Sequence, residues 1–81
     1  MDYIGYSYID KGELLEIYAQ EEGVKYLFIY KINQIDKRFH FDTVLKKENN
    51  VYTSLPNYPI PNEYKDYAQV LFERVRLHIV F

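Results

Sequence analysis

Residues 24–32, Val-Lys-Tyr-Leu-Phe-Ile-Tyr-Lys-Ile, constrain this chain more than any other stretch. β-Branched and aromatic residues run there almost without a break between two turn signals, as in a β-strand. Val24, Tyr26, Phe28, Tyr30 and Ile32 fall on one face, while Leu27 and Ile29 sit mid-strand on the other with Lys25 and Lys31 at its ends. A strand apolar on both sides in its middle and charged only at its tips is expected at the centre of a sheet, covered there on both faces.

The flanking sequence supplies neighbours for it. Residues 3–9 alternate Ile4, Tyr6 and Tyr8 with Tyr3, Gly5 and Ser7 and read as a first strand. Asp10-Lys11-Gly12 then reads as a three-residue hairpin turn with Gly12 in the left-handed position. Residues 13–20 follow as a second strand, with Leu15, Ile17 and Ala19 on one face and Leu14, Glu16, Tyr18 and Gln20 on the other. The same punctuation recurs at Glu21-Glu22-Gly23, so the first three strands are expected to form an antiparallel meander.

Beyond a polar connection, residues 38–46 alternate Phe39, Phe41, Thr43 and Leu45 with Arg38, His40, Asp42 and Val44, which predicts a half-buried strand whose second set faces solvent. Lys47-Glu48-Asn49-Asn50 reads as a turn, because Asn tolerates positive φ, and residues 51–55 as a short edge strand. Pro56, Pro59 and Pro61 exclude ladder pairing and predict an extended crossover. Asn62 is the expected N-cap of a helix, with Glu63 and Asp66 in its first turn. Tyr64, Tyr67, Ala68, Leu71, Phe72 and Val75 form its apolar stripe, and Arg74, Arg76 and His78 gather at its far end. Residues 74–81 also alternate as a strand would; helix to about His78 is expected, since no turn residue intervenes. The fold class is therefore α+β: a four- to five-stranded antiparallel sheet, N-terminal meander plus hairpin, with one C-terminal helix on one face.

With 81 residues, 48% of them apolar and 27% charged, the chain is expected to be a single globular domain over 1–81. It contains no cysteine, which removes disulfides and thiolate metal sites. No apolar run approaches the ~18 residues of a membrane span, and Met1 to Gly5 lack the basic start of a signal peptide, so a cytoplasmic location is expected. Frequent Lys, Ile, Asn and Tyr fit an AT-rich coding sequence, as in many bacteria and phages.

Enzyme chemistry finds few parts here. Ser7, Ser54, Thr43 and Thr53 lie in no nucleophile motif, and His40 and His78 share no metal-ligand spacing. Asp42 follows His40 by two positions, a pairing that more often steadies a surface than catalyses. No catalytic residue, metal or cofactor is therefore expected.

Charge and tyrosine carry the functional expectation. The net charge is only −2, yet residues 1–23 hold Asp2, Asp10, Glu13, Glu16, Glu21 and Glu22 against Lys11 alone. Ten tyrosines exceed what a core uses, and Tyr is enriched in recognition surfaces because it offers rigid area with a polar tip. Tyr3, Tyr6, Tyr8, Asp10, Glu13, Glu16, Tyr18, Glu21 and Glu22 are thus the expected binding residues, and the expected partner is a basic, nucleic-acid-binding protein. A small stoichiometric inhibitor of a host protein, of the kind phages and mobile elements make, fits these traits. One alternative is a β domain that binds single-stranded nucleic acid through Lys25, Lys31, Arg38, His40, Lys46 and Lys47. Another is a self-associating assembly subunit, a homodimer for instance, pairing through its edge strands.

Overall fold

Leu15, Ile17 and Ala19 on the second strand and Phe28 and Tyr30 on the third share one sheet face, and all five are buried in the computed structural model. The structure describes residues 1–9, 11, 13–55 and 60–78. Its strands are β1 (Asp2–Ile9), β2 (Leu14–Glu21), β3 (Val24–Ile32), β4 (Phe39–Glu48) and β5 (Val51–Ser54), followed by the helix α1 (Asn62–Val75) and a 3₁₀ turn at Arg76–His78. The sheet is a five-stranded antiparallel meander in sequence order, with β3 at its centre. α1 lies across one face, where Ala68, Leu71 and Val75 join the core and Tyr64, Tyr67 and Phe72 pack at its margin. The Tyr30 hydroxyl ties the layers together by donating to the Ala68 carbonyl at 2.8 Å.

Turn chemistry sets the register. Glu22 and Gly23 both have positive φ, 51° and 78°, and join Glu21 to Val24 as a two-residue turn of the primed type. This corrects the expected three-residue device, and it matches the right-handed twist of the strands it connects. Asn49 and Asn50, at 51° and 66°, repeat the arrangement between β4 and β5. At the first turn Lys11 has φ 59°, while Asp10 and Gly12, and with them the expected left-handed Gly12, lie outside the described residues.

Two bulges break the alternation read from the sequence. In β1 the register shifts between Tyr3 and Gly5, so Ile4 is extra and Tyr3, Tyr6 and Tyr8 all stand on the helix side, opposite Ala19, Ile17 and Leu15. In β4, Thr43 pairs with Ile29 but Phe41 with Tyr30, which leaves Asp42 as the extra residue. Val44 therefore turns inward and is fully buried against Phe28, while Thr43 and Leu45 pass to the other face. The expected solvent-facing Val44 is corrected by this single insertion.

The helix start differs too. Asn62 is its first residue and the capping position falls to Pro61, whose carbonyl accepts from Tyr64 and Lys65. Proline's fixed φ suits the entry, and no side chain caps the end. Of residues 74–81, which also alternate as a strand would, 74–78 are helical, in α1 to Val75 and in the 3₁₀ turn to His78, while residues 79–81 and most of the proline crossover lie outside the described residues.

Candidate functional site: the helix-free sheet face

α1 lies on one face of the sheet; on the other, the expected cover over the middle of β3 holds at Leu27, which is buried, while Ile29 is half-buried. The pairing register lays out the helix-free face in rows across the strands. One row runs Gly5, Tyr18, Leu27, Leu45 and Ser54; the next runs Ser7, Glu16, Ile29 and Thr43. Lys25 and Gln20 flank the first row on one side, and Leu14, Lys31 and His40 flank the second on the other.

Leu27 is only 6% exposed although, among the described residues, no helix or strand lies over that face. Tyr18 on β2 and Tyr52 on β5 reach toward each other from opposite sides of Leu27 and Leu45 until their rings meet at 6.4 Å, nearly edge to face. The Lys47 ammonium stands 5.6 Å from the Tyr52 ring centre. Burial first, then the charge of Glu16 and the neighbouring Tyr52, raises the Tyr18 phenol above its ordinary pKa, so its hydroxyl stays protonated and available as a donor. The result is an apolar, tyrosine-topped centre with charged residues around it, which can hold a flat surface by area and hydrogen bonds.

The expected binding residues divide between the two faces. Glu16 and Tyr18 belong to the helix-free face. Tyr3 is half-buried at the core margin beneath Arg74, whose guanidinium lies 4.9 Å from the ring centre. Tyr8 packs on Phe39 at 5.9 Å and Tyr6 meets Tyr8 edge-on at 6.3 Å. Glu21 accepts from the Tyr67 hydroxyl at 3.1 Å and lies 3.9 Å from the Met1 amino group, so it joins β2 to α1 and the strand edge. Glu13 and Glu22 are exposed in turns, and Asp10 lies outside the described residues. Leu27 and Ile29 were placed on the second face of β3 but not named as binding residues, and Leu45 and Tyr52 were missed because their place on that face depends on the register of β4, which a bulge displaces.

The cations considered for nucleic acid also divide. Lys25, Lys31, His40 and Lys47 are on the helix-free face, Lys46 pairs with Tyr26 on the helix side, and Arg38 belongs to the loop before β4. Lys31 is held by Asp42 at 3.5 Å and His40 by Asp36 at 3.4 Å. A separate groove of about 1140 Å³ opens between α1 and residues 36–39, floored by Tyr30, Phe41 and Phe72 and bordered by Arg38, Lys65 and Glu73. Among the described residues no cluster of three or more His, Asp or Glu could hold a metal, and no helix is long and apolar enough to cross a membrane. Comparison with protein-family models, curated proteins and solved structures finds no match to this chain.

Proposed function

We propose that this chain is a small stoichiometric protein-binding module that uses its helix-free face, and that it acts by occupying a surface of a basic, nucleic-acid-binding protein, as a phage or mobile-element inhibitor of a host protein would. The observation carrying this reading is the meeting of the Tyr18 and Tyr52 rings at 6.4 Å on the face where Leu27 is buried and where, among the described residues, no helix or strand forms a second layer. An apolar centre rich in Tyr inside a polar rim is the anatomy of protein interfaces. Charge is distributed to match: Asp2, Glu13, Glu16 and Glu22 lie along the β1–β2 side. A nucleic-acid role is less favoured, because Asp42 stands 3.5 Å from Lys31 and Asp36 stands 3.4 Å from His40, leaving Lys25 and Lys47 as the lysines of that face without a carboxylate partner among the described residues.

The test is capture of a partner from host lysate by wild type, Tyr18→Ala and Tyr52→Ala in parallel, with stoichiometry read by native mass spectrometry. Each ring is expected to contribute about 2 kcal/mol or more to affinity while changing stability far less. A captured protein held equally by all three forms, or a complex that dissolves only with nuclease, would refute the proposal.

A further inference from the structure

β1 is an edge strand whose defences are confined to its start, the charge of Asp2 and the bulge at Ile4. Its eight residues contain no Lys, Arg or Pro, and after the bulge at Ile4 the segment from Gly5 to Ile9 runs in unbroken register with β2. Among the described residues its outer backbone groups have no neighbouring strand. Ile4 is 51% exposed, Tyr6 38% and Ile9 37%, which places large apolar side chains along that edge. The opposite edge, β5, is only four residues long. Natural sheets protect long edges with charge, proline or cover, because an open edge accepts another strand.

The helix-free side of β1 has a second feature. Gly5 and Ser7 stand there beside Tyr18 and Glu16, so the two large side chains of β2 are separated from the sheet's edge by the two smallest of β1. A Cβ added at Gly5 would meet nothing within 4 Å, and Gly5 has no positive φ to explain its choice. The edge is thus a shallow trough that ends at a carboxylate and an aromatic ring. A strand added beside β1 would lie two strand spacings, about 10 Å, from β2. An extended Lys or Arg side chain crosses that gap to a Glu on the far side.

We propose that β1 is a docking edge for an extended, lysine- or arginine-bearing segment of the partner protein, which pairs as a sixth strand and lays a cationic side chain across Gly5 and Ser7 onto Glu16 and Tyr18. This rests on the protein-binding reading and gives it a mode, β-strand addition, in which main-chain bonds supply affinity and the trough supplies selectivity. Charge chooses the occupant. Asp2 and Glu22 at one end and Glu16 in the middle favour a basic strand, while at the other end Glu13 is offset by Lys11.

The test uses the full ¹⁵N-labelled chain and two capped synthetic peptides the length of β1, eight residues, one alternating Val with Lys and the other Val with Glu. The lysine peptide is expected to shift the amides of residues 4–9 together with Glu16 and Tyr18, and the glutamate peptide to leave them unmoved. Gly5→Val fills the trough in a conformation any β residue adopts; it and Glu16→Lys should each weaken the lysine peptide about tenfold or more without lowering the melting temperature. Absence of shifts at millimolar peptide, equal binding of both peptides, shifts confined to the groove beside α1, or indifference to both substitutions would each overturn the proposal. So would sedimentation showing that the chain alone dimerises through β1. A lysate partner lost by Tyr52→Ala but retained by Gly5→Val would overturn edge pairing while leaving the protein-binding function standing.

Discussion

Val44→Ala and Leu45→Ala, measured side by side, test the bulge on which the face assignment of β4 depends. Val44 pairs with Phe28 and is fully buried, whereas Leu45 pairs with Leu27 on the helix-free face and is half-exposed. Truncating Val44 removes two carbons from the core at about 0.8 kcal/mol each in transfer. The flanking strands are hydrogen-bonded and cannot close the void, so the cavity raises the total to about 2 to 3 kcal/mol. Leu45 loses more carbon, but part of it already touches water and solvent fills the vacated space, so its cost should be about 1 kcal/mol or less. For a chain of this size each kcal/mol corresponds to about 4 to 8 °C in melting temperature. The two variants should therefore melt about 5 to 15 °C apart, with Val44→Ala the lower, and urea unfolding should give the same order at unchanged slope. If Leu45→Ala is the less stable, the strand alternates without interruption and Asp42 is not the extra residue.

Burial raises the Tyr30 phenol well above its ordinary value of 10.0. The folded chain therefore holds that proton more tightly than the unfolded chain, and this stability is complete below pH 10 and lost as pH rises through and beyond it. Tyr30→Phe should cost about 1 kcal/mol at neutral pH through the lost bond to Ala68 and should flatten the alkaline decline in urea titrations; an unchanged decline would show that another group governs it. Glu22 sits at φ 51° in the turn between β2 and β3, a conformation that costs most side chains about 1 kcal/mol and suits Asn. Glu22→Asn should raise stability by about 0.5 to 1 kcal/mol in denaturant melts, and a loss would contradict the primed turn.

The fold was legible wherever one local pattern decided it. β3 announced itself by composition, α1 by a stripe in which Ala68, Leu71 and Val75 are the buried members, and the inward face of β2 by the strict alternation of Leu15, Ile17 and Ala19. Alternation failed in β1 and β4 because one extra residue, Ile4 or Asp42, reverses every side chain beyond it, and neither residue type advertises a bulge. Tyr18 and Glu16 could be placed on the helix-free face because β2 has no bulge of its own toward β3. Leu27 joins them through one register relation, Leu45 through two and Tyr52 only through three, and the Asn49-Asn50 turn that fixes the last reads from sequence simply as a turn.

The tyrosine surplus resolves into two physical tasks. Tyr30, Tyr26 and Tyr64 thicken a core that an 81-residue chain with one helical layer can barely supply, each placing ring area against α1 or the sheet, and Tyr30 satisfying its hydroxyl within the core. Tyr18 and Tyr52 have a different position, because the apolar middle of β3 turns Leu27 and Ile29 to a face where, among the described residues, no helix or strand forms a second layer. Leucine at those two sites would cover Leu27 as well but would present bare hydrocarbon to water; phenylalanine would do so with more of it. Tyrosine covers the same area and ends in a hydroxyl, so the face remains compatible with solvent while keeping a large, stiff surface for a partner. The same choice explains why loss of Tyr18 should weaken binding more than folding: its ring shields a single leucine already flanked by Ile29 and Leu45, whereas a partner laid on the face would meet that ring first.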